Sequence, residues 1–534
     1  MHRSLRSRFR NLSPRDAILI LLGAASMHIY SSFSYHLQDS PSIIFNTHLS
    51  SQDSLHNIPR PAPSVLLDAF HPPQPRKPPS PPSPSVPNLG HEIPQTELVS
   101  HAPGWTIFRN LYMADGTLFI VTSNPDSFPS VDFMTSTGLP ADSTPESIAE
   151  RMPTSRDMSV ITPEEAHWRW GGQSERGHNN VFPVEGSTLL FNDPGQFLNH
   201  YYHFCAELLF GAWAFWHGTF RGASSTAPIP PFTRAIFPHA TAEEWRDGPG
   251  MNFFFLRSAW PSLTVETEPD WLDRVSTTAP HPGGHHGRAW WFDTLLLADR
   301  SAAFRGPECG ERTQRTAASA VKAVASREGG TGFLERGWWE PVRLNVLRFA
   351  GVSEDMLEIG KRAFKRTSNG SPKTGGVEEV VVTYVSRQAV KRHLVAEDHE
   401  GLVDALTEMC DRRGWELNIV AMERLSKEEQ LAIAARTTFL VGVHGNGLTH
   451  LIMMPITPIS MVIELFTPEG FAHDYEWTTR SLGMKHIAIW NDTSRSHPEV
   501  TNPNYPEGFQ GEQIPVHGPY VAELIEDRAD GFLP

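Results

Sequence analysis

The side chains in this 534-residue chain whose type and spacing suit chemistry fall in four places. His203 and Glu207 stand four apart in Asn199-His-Tyr-Tyr-His-Phe-Cys-Ala-Glu-Leu-Leu-Phe210. On a helix they share a face and can touch. A carboxylate that orients an imidazole makes it a better general base, although an ordinary helix-surface pair has the same spacing. Arg387, in Tyr384-Val-Ser-Arg387, and Arg392 follow an apolar run. Arginines at the end of a strand offer a fork of donors to a diphosphate, and a solvated loop arginine is the alternative. The third place is His444, Gly445, Asn446 and Gly447, where the apolar run Phe439–Val443 stops. Glycines there let backbone N–H groups approach a phosphate, and a bare tight turn needs the same glycines. Glu464 interrupts the apolar Val462-Ile-Glu-Leu-Phe466. A carboxylate at such a position is costly unless satisfied, by a ribose diol or by a buried salt bridge.

Several known phosphate and hydrolase motifs are excluded. The order Gly442-x-x-Gly445-x-Gly447 is not the dinucleotide pattern, and no Lys-Ser/Thr follows as in a Walker loop. A hydrolase oxyanion loop resembles His-Gly-x-Gly, but the chain has no Gly-x-Ser-x-Gly nucleophile elbow. His281-Pro-Gly-Gly-His285-His286 reads as a loop rather than a metal site, because it is glycine-rich and lacks carboxylate ligands. No Asp-x-Asp occurs, which argues against a metal-diphosphate clamp.

These residues need elements to hold them. From Gly376 the spacing predicts a doubly wound parallel sheet. Its strands are expected at Val380–Val385, Leu417–Val420, Phe439–Val443, Met461–Phe466 and His486–Trp490. Helices are expected at Asp404–Arg412, at Ser426–Arg436 behind a Ser-Lys-Glu-Glu capping box, and at Phe471–Leu482. A short helix at Leu448–Met454 completes a strand–turn–helix–strand unit around the glycine turn, at the end of the sheet where such folds bind ligands. Earlier, Asp115-Gly116 between apolar runs marks a β-hairpin, Ser187–Phe191 a strand and His200–Trp216 a helix. Asn124–Gly177 reads as irregular, and strand order between Gly222 and Gly337 is not recoverable from the pattern.

The net charge of −15 disfavours a nucleic-acid partner. Residues 1–16 form a basic tail with five arginines against Asp16. Residues 17–33 carry no formal charge, enough for a short signal-anchor membrane helix with the tail in the cytosol and the bulk in the lumen. A cleaved signal ending near Gly23-Ala24-Ala25 is the rival. Residues 34–100 read as a disordered stem, since twelve prolines between Pro59 and Pro87 favour extended polyproline and pack no core. Asn369 and Asn491 head glycosylation sequons. Three cysteines allow one internal disulfide at most.

Four blocks together resemble glycosyltransferase family 61. They are Asn199–Glu207; Ser386-Arg387 with Arg392 and the acidic Glu397–Glu400; Leu425–Gln430; and Gly442–His450 followed by Val462-Ile-Glu464. Asn446 stands where the family usually has alanine, and His450 where it has asparagine. The resemblance, to the family of extracellular O-GlcNAc transferase and plant xylan arabinosyl- and xylosyltransferases, implies a two-lobed α/β GT-B-like fold. It also implies inverting, metal-independent transfer from a nucleotide sugar, with no resident cofactor. On that basis residues 101–375 are expected to form an acceptor lobe and 376–534 a nucleotide-sugar lobe, with 515–534 crossing back. Arg387, Arg392, His444, Gly445, Asn446, Gly447 and Glu464 are the expected nucleotide site, and His203 with Glu207 the catalytic pair. A glycan or glycoprotein acceptor and a single-pass Golgi or endoplasmic reticulum location follow as expectations. A non-catalytic glycan- or nucleotide-binding protein of the same fold is the alternative.

Overall fold

The computed structural model describes residues 92–534 apart from 172–177, 222–227, 281–286, 310–314, 328–336, 358–379, 501, 510, 512 and 534. The expected tail, membrane helix, most of the stem and the Asn369 sequon lie outside the described residues. Among the described residues no helix is long and apolar enough to cross a membrane.

The first sheet contains β1 (Glu97–Ala102), β2 (Trp105–Ala114), β3 (Thr117–Val121), β4 (Met158–Ile161), β5 (Val181–Phe191), β6 (Phe232–Ile236), β7 (Thr264–Glu266) and β8 (Ala289–Ala298). Their order is β4-β3-β2-β8-β5-β6-β7, with β1 also on β2. β2 and β3 are the antiparallel hairpin expected around Asp115-Gly116, both of which take positive φ. β5 to β8 are parallel. Counted by themselves they run 3-2-1-4, a Rossmann-like order with the reversal between β5 and β8. The stretch read as irregular, Asn124–Gly177, contains β4 and the helices Pro145–Glu150 and Pro163–Trp170. Each helix opens with a threonine N-cap followed by proline, a start signal the poor periodicity concealed.

The second sheet contains β9 (Val381–Val385), β10 (Glu416–Val420), β11 (Phe439–Val443), β12 (Met461–Leu465), β13 (Lys485–Trp490) and β14 (Thr493–Arg495). The order is β10-β9-β11-β12-β13-β14, parallel except for β14. Counted from β9 the parallel strands run 2-1-3-4-5, a doubly wound sheet whose reversal falls between β9 and β11. β9, β11 and β12 are buried throughout, as strands covered on both faces must be. Ser426 and Glu429 form the expected capping box on helix Lys427–Ala434. The C-terminal helix Gly518–Asp530 does not cross back to the first sheet. It packs Val521 and Ile525 against Leu402 and Leu406 of helix Ala396–Arg413, and Gly518 lies on Gly401 so closely that a Cβ would clash.

One apolar core joins the two sheets. It includes Leu189 and Phe191 of β5, Leu440 of β11 and Val462 of β12, with helix Phe210–Phe220 between them. Phe210 contacts Trp338, Trp339 and Trp477. Indole N–H groups tie the parts together: Trp339 donates to the Ile452 carbonyl and Trp213 to the Trp338 carbonyl, both at 2.8 Å.

Candidate active site

Both sheets present their reversal points to one cavity of about 330 Å3. From the first sheet, the chain leaves β5 through Asp193 and reaches a π-helical stretch, Tyr202–Leu209, which continues as helix Phe210–Phe220. π-Helical turns inside helices are often found at functional sites. His203 Nδ1 lies 2.9 Å from Glu207 Oε2, as the spacing predicted. The pair is not a surface pair, since Glu207 is fully buried and the His203 side chain keeps 17% exposure. Arg300, just past β8, donates to Glu207 Oε2 at 2.5 Å and to Asp193 Oδ2 at 3.0 Å. Thr316 donates its hydroxyl to Glu207 Oε1 at 2.7 Å.

Burial alone would raise the Glu207 carboxyl, but Arg300 and His203 outweigh it and hold it down to about 2. With Glu207 ionised, the His203 Nδ1–H donates to it and Nε2 keeps its lone pair. Burial lowers the pKa of His203 and Glu207 pulls it the other way, with a net lowering.

From the second sheet come Arg387 and Arg392, after β9, and His444 to Asn446, after β11; all line the cavity with His203. Gly445 has φ of 151°, and a Cβ built there would sit 2.7 Å from Arg387 Nη1. The glycine therefore admits the guanidinium against the turn. Arg392 Nη1 donates to the His444 carbonyl at 3.1 Å. Gly447 is not in the cavity wall; a Cβ there would lie 2.8 Å from Val385, so its place is set by packing on β9.

Glu464 stands behind the cavity. It is fully buried and both its oxygens are taken, by His444 Nδ1 at 2.5 Å and His486 Nε2 at 2.8 Å. The paired arrangement, not an open ribose contact, is what satisfies it. Burial pushes Glu464 up, His444 well down and His486 to about 4, which favours the uncharged form of all three.

Asn446 connects the two halves of the site. Its Oδ1 accepts the Tyr202 backbone N–H at 3.1 Å and the Thr449 hydroxyl at 3.3 Å. His450 lies in the core, 2% exposed, with Nε2 2.9 Å from Gln430 Oε1.

Sequence reasoning missed Arg300, Asp193 and Thr316. The signal for Arg300 is the one used for Arg387, an arginine at the end of an apolar run, here Leu295-Leu-Leu-Ala298. It could not be read without knowing that β8 lies beside β5. Asp474, Tyr475, Tyr505 and Phe509 also line the cavity and carried no sequence signal.

The model of the family Glycosyltransferase 61 matches residues 252–459. That span includes Arg300, Arg387, Arg392 and the glycine turn, and leaves His203 and Glu464 outside. The chain is also 29% identical, over 131 residues, to the EGF domain-specific O-linked N-acetylglucosamine transferase of Drosophila melanogaster. The alignment covers 24% of this chain and 23% of that relative, so the chain matches about a quarter of the relative's length. Over residues 252–459 the chain thus matches Glycosyltransferase 61, the family whose motif blocks its sequence carries.

Proposed function

We propose that the chain is an inverting glycosyltransferase that moves a sugar from a UDP-sugar to a hydroxyl of a glycan or glycoprotein. The observation that supports this best is the convergence of a buried His–Glu pair and two arginines, from the reversal points of two sheets, on one cavity. In this reading Arg387 and Arg392 hold the diphosphate, with the backbone of the Gly445 turn beside it. His203 Nε2 takes the proton of the acceptor hydroxyl as its oxygen attacks the anomeric carbon and the bond to the diphosphate breaks. Glu207 holds the ring and stabilises its charge once protonated. The arginines neutralise the leaving diphosphate, so transfer proceeds without a bound metal. Glu464 acts through His444, whose carbonyl fixes Arg392.

The Drosophila relative is named for O-linked N-acetylglucosamine transfer to EGF domains, which makes UDP-N-acetylglucosamine the first donor to assay. An N-terminal anchor over residues 17–33 would hold the catalytic part in the Golgi or endoplasmic reticulum lumen.

Titration calorimetry of the full chain with UDP tests the site. Arg387→Ala is expected to weaken binding about tenfold or more, the size of a lost charge-assisted hydrogen bond. Unchanged affinity would remove Arg387 from it. Transfer is expected to persist in excess EDTA, and its loss there would contradict the metal-free mechanism. Nucleotide binding with neither transfer nor hydrolysis of any donor would favour the non-catalytic alternative.

A further inference from the structure

One carboxyl in the cavity wall has an oxygen without a partner in the fold. Asp474 opens the helix Asp474–Ser481, is 7% exposed, and its Oδ1 is shut off from solvent without a hydrogen-bond partner. The neighbouring buried acids are all satisfied: Glu207 by His203, Arg300 and Thr316, Glu464 by two histidines, and Glu476 by His473 and Arg480. The main chain of Asp474 has structural work, since its carbonyl accepts the hydroxyls of Tyr202 at 2.6 Å and Thr478 at 2.8 Å. No side-chain hydrogen bond caps the start of its helix. Burial, helped by the charge of Glu207, pushes the carboxyl up to about 8.

A buried polar group left unpaired is costly and calls for an explanation. The arginines of the cavity suit phosphate, not a neutral polyol. Glu464, the acid that the sequence offered for a ribose diol, has both oxygens occupied. Asp474 is the acid that lines the cavity and also carries an unused oxygen, which a rotation of the carboxyl would turn toward a ligand.

We propose that Asp474 recognises a hydroxyl of the bound nucleotide sugar, its carboxyl completing its hydrogen bonds with that group. The inference rests on the nucleotide-sugar reading above. Ribose and the transferred sugar both carry hydroxyls, and two probes separate them. UDP presents only the ribose, whereas UDP-N-acetylglucosamine presents both.

The experiment is calorimetric titration of the full wild-type chain and of Asp474→Asn and Asp474→Ala with each probe, alongside their melting temperatures. Affinity for at least one probe is expected to fall about tenfold or more in both variants. A loss for UDP assigns the ribose, and a loss confined to UDP-N-acetylglucosamine assigns the sugar. The melting temperature of Asp474→Ala is expected to hold or rise, because an unsatisfied buried group is removed. Wild-type affinity for both probes in either folded variant overturns the inference and leaves the functional reading intact. So does a lowered melting temperature with binding unchanged. A wild-type chain that binds neither probe overturns both.

Discussion

His203 is placed by three residues it does not touch as well as by its hydrogen bond to Glu207. Glu207 meets the imidazole, Arg300 and Thr316 fix Glu207, and Asp193 holds Arg300. Breaking such a buried charge cluster from one side leaves an uncompensated ion. His203→Ala is expected to lower the transfer rate by about 10²- to 10⁴-fold, the usual worth of a positioned base, with UDP affinity unchanged in calorimetry. A variant that keeps the full rate would end the candidacy of His203. The pH dependence has a definite sign. The base acts when neutral, and the net shift of His203 is downward from 6.5. The neutral form therefore persists to lower pH than for a free imidazole, and the acidic limb of kcat/KM is expected below pH 6.5. Glu207→Gln removes the charge that favours protonation, so the limb should move lower still while the rate falls. A limb at or above pH 6.5 in wild type would exclude an imidazole so placed.

The π-helical stretch Tyr202–Leu209 and the turn after β11 belong to different sheets and meet through one side chain. Asn446 Oδ1 accepts the N–H of Tyr202, next to His203, while the same turn carries the Gly445 backbone beside Arg387. Asn446 is thus a strut between the stretch that carries His203 and the turn beside Arg387. Asn446→Ala leaves that N–H without its acceptor, at a cost of about 1 kcal/mol. The expected result is a small fall in denaturation midpoint, a clear fall in kcat and little change in KM. Asn446→Asp keeps an acceptor oxygen and should recover most of kcat; if both variants match wild type, the strut has no part in positioning His203.

Across the whole molecule the two sheets share one core, so they are expected to unfold together. Trp339 is 1% exposed, packs on Phe210, and donates to the Ile452 carbonyl beneath the glycine turn. Trp339→Ala should cost about 3–5 kcal/mol through the cavity it leaves. Calorimetric scanning should show one transition moved to lower temperature; two separated transitions would show that the sheets are independent. Cys205 and Cys410 are free and buried, so a reductant should leave the melting temperature unchanged.

The sequence by itself determined the second sheet almost strand for strand, because parallel strands buried on both faces read as apolar runs between helices. It also determined the His203–Glu207 contact, which is local, and the glycine turn, which sits at a strand end. Contacts made across the chain were decided by the tertiary structure. Arg300 meets Glu207 from 93 residues away, and Asn446 meets Tyr202 from 244. Neither separation leaves a periodic trace in the sequence. Glu464 was legible as a buried carboxylate, and only the fold decided its partners, since His486 is brought beside it by the pairing of β12 with β13. Asp474 was silent in the sequence, because an acid at a helix start is ordinary there. An unpartnered buried oxygen on a residue that lines the cavity, a property of packing, sets it apart.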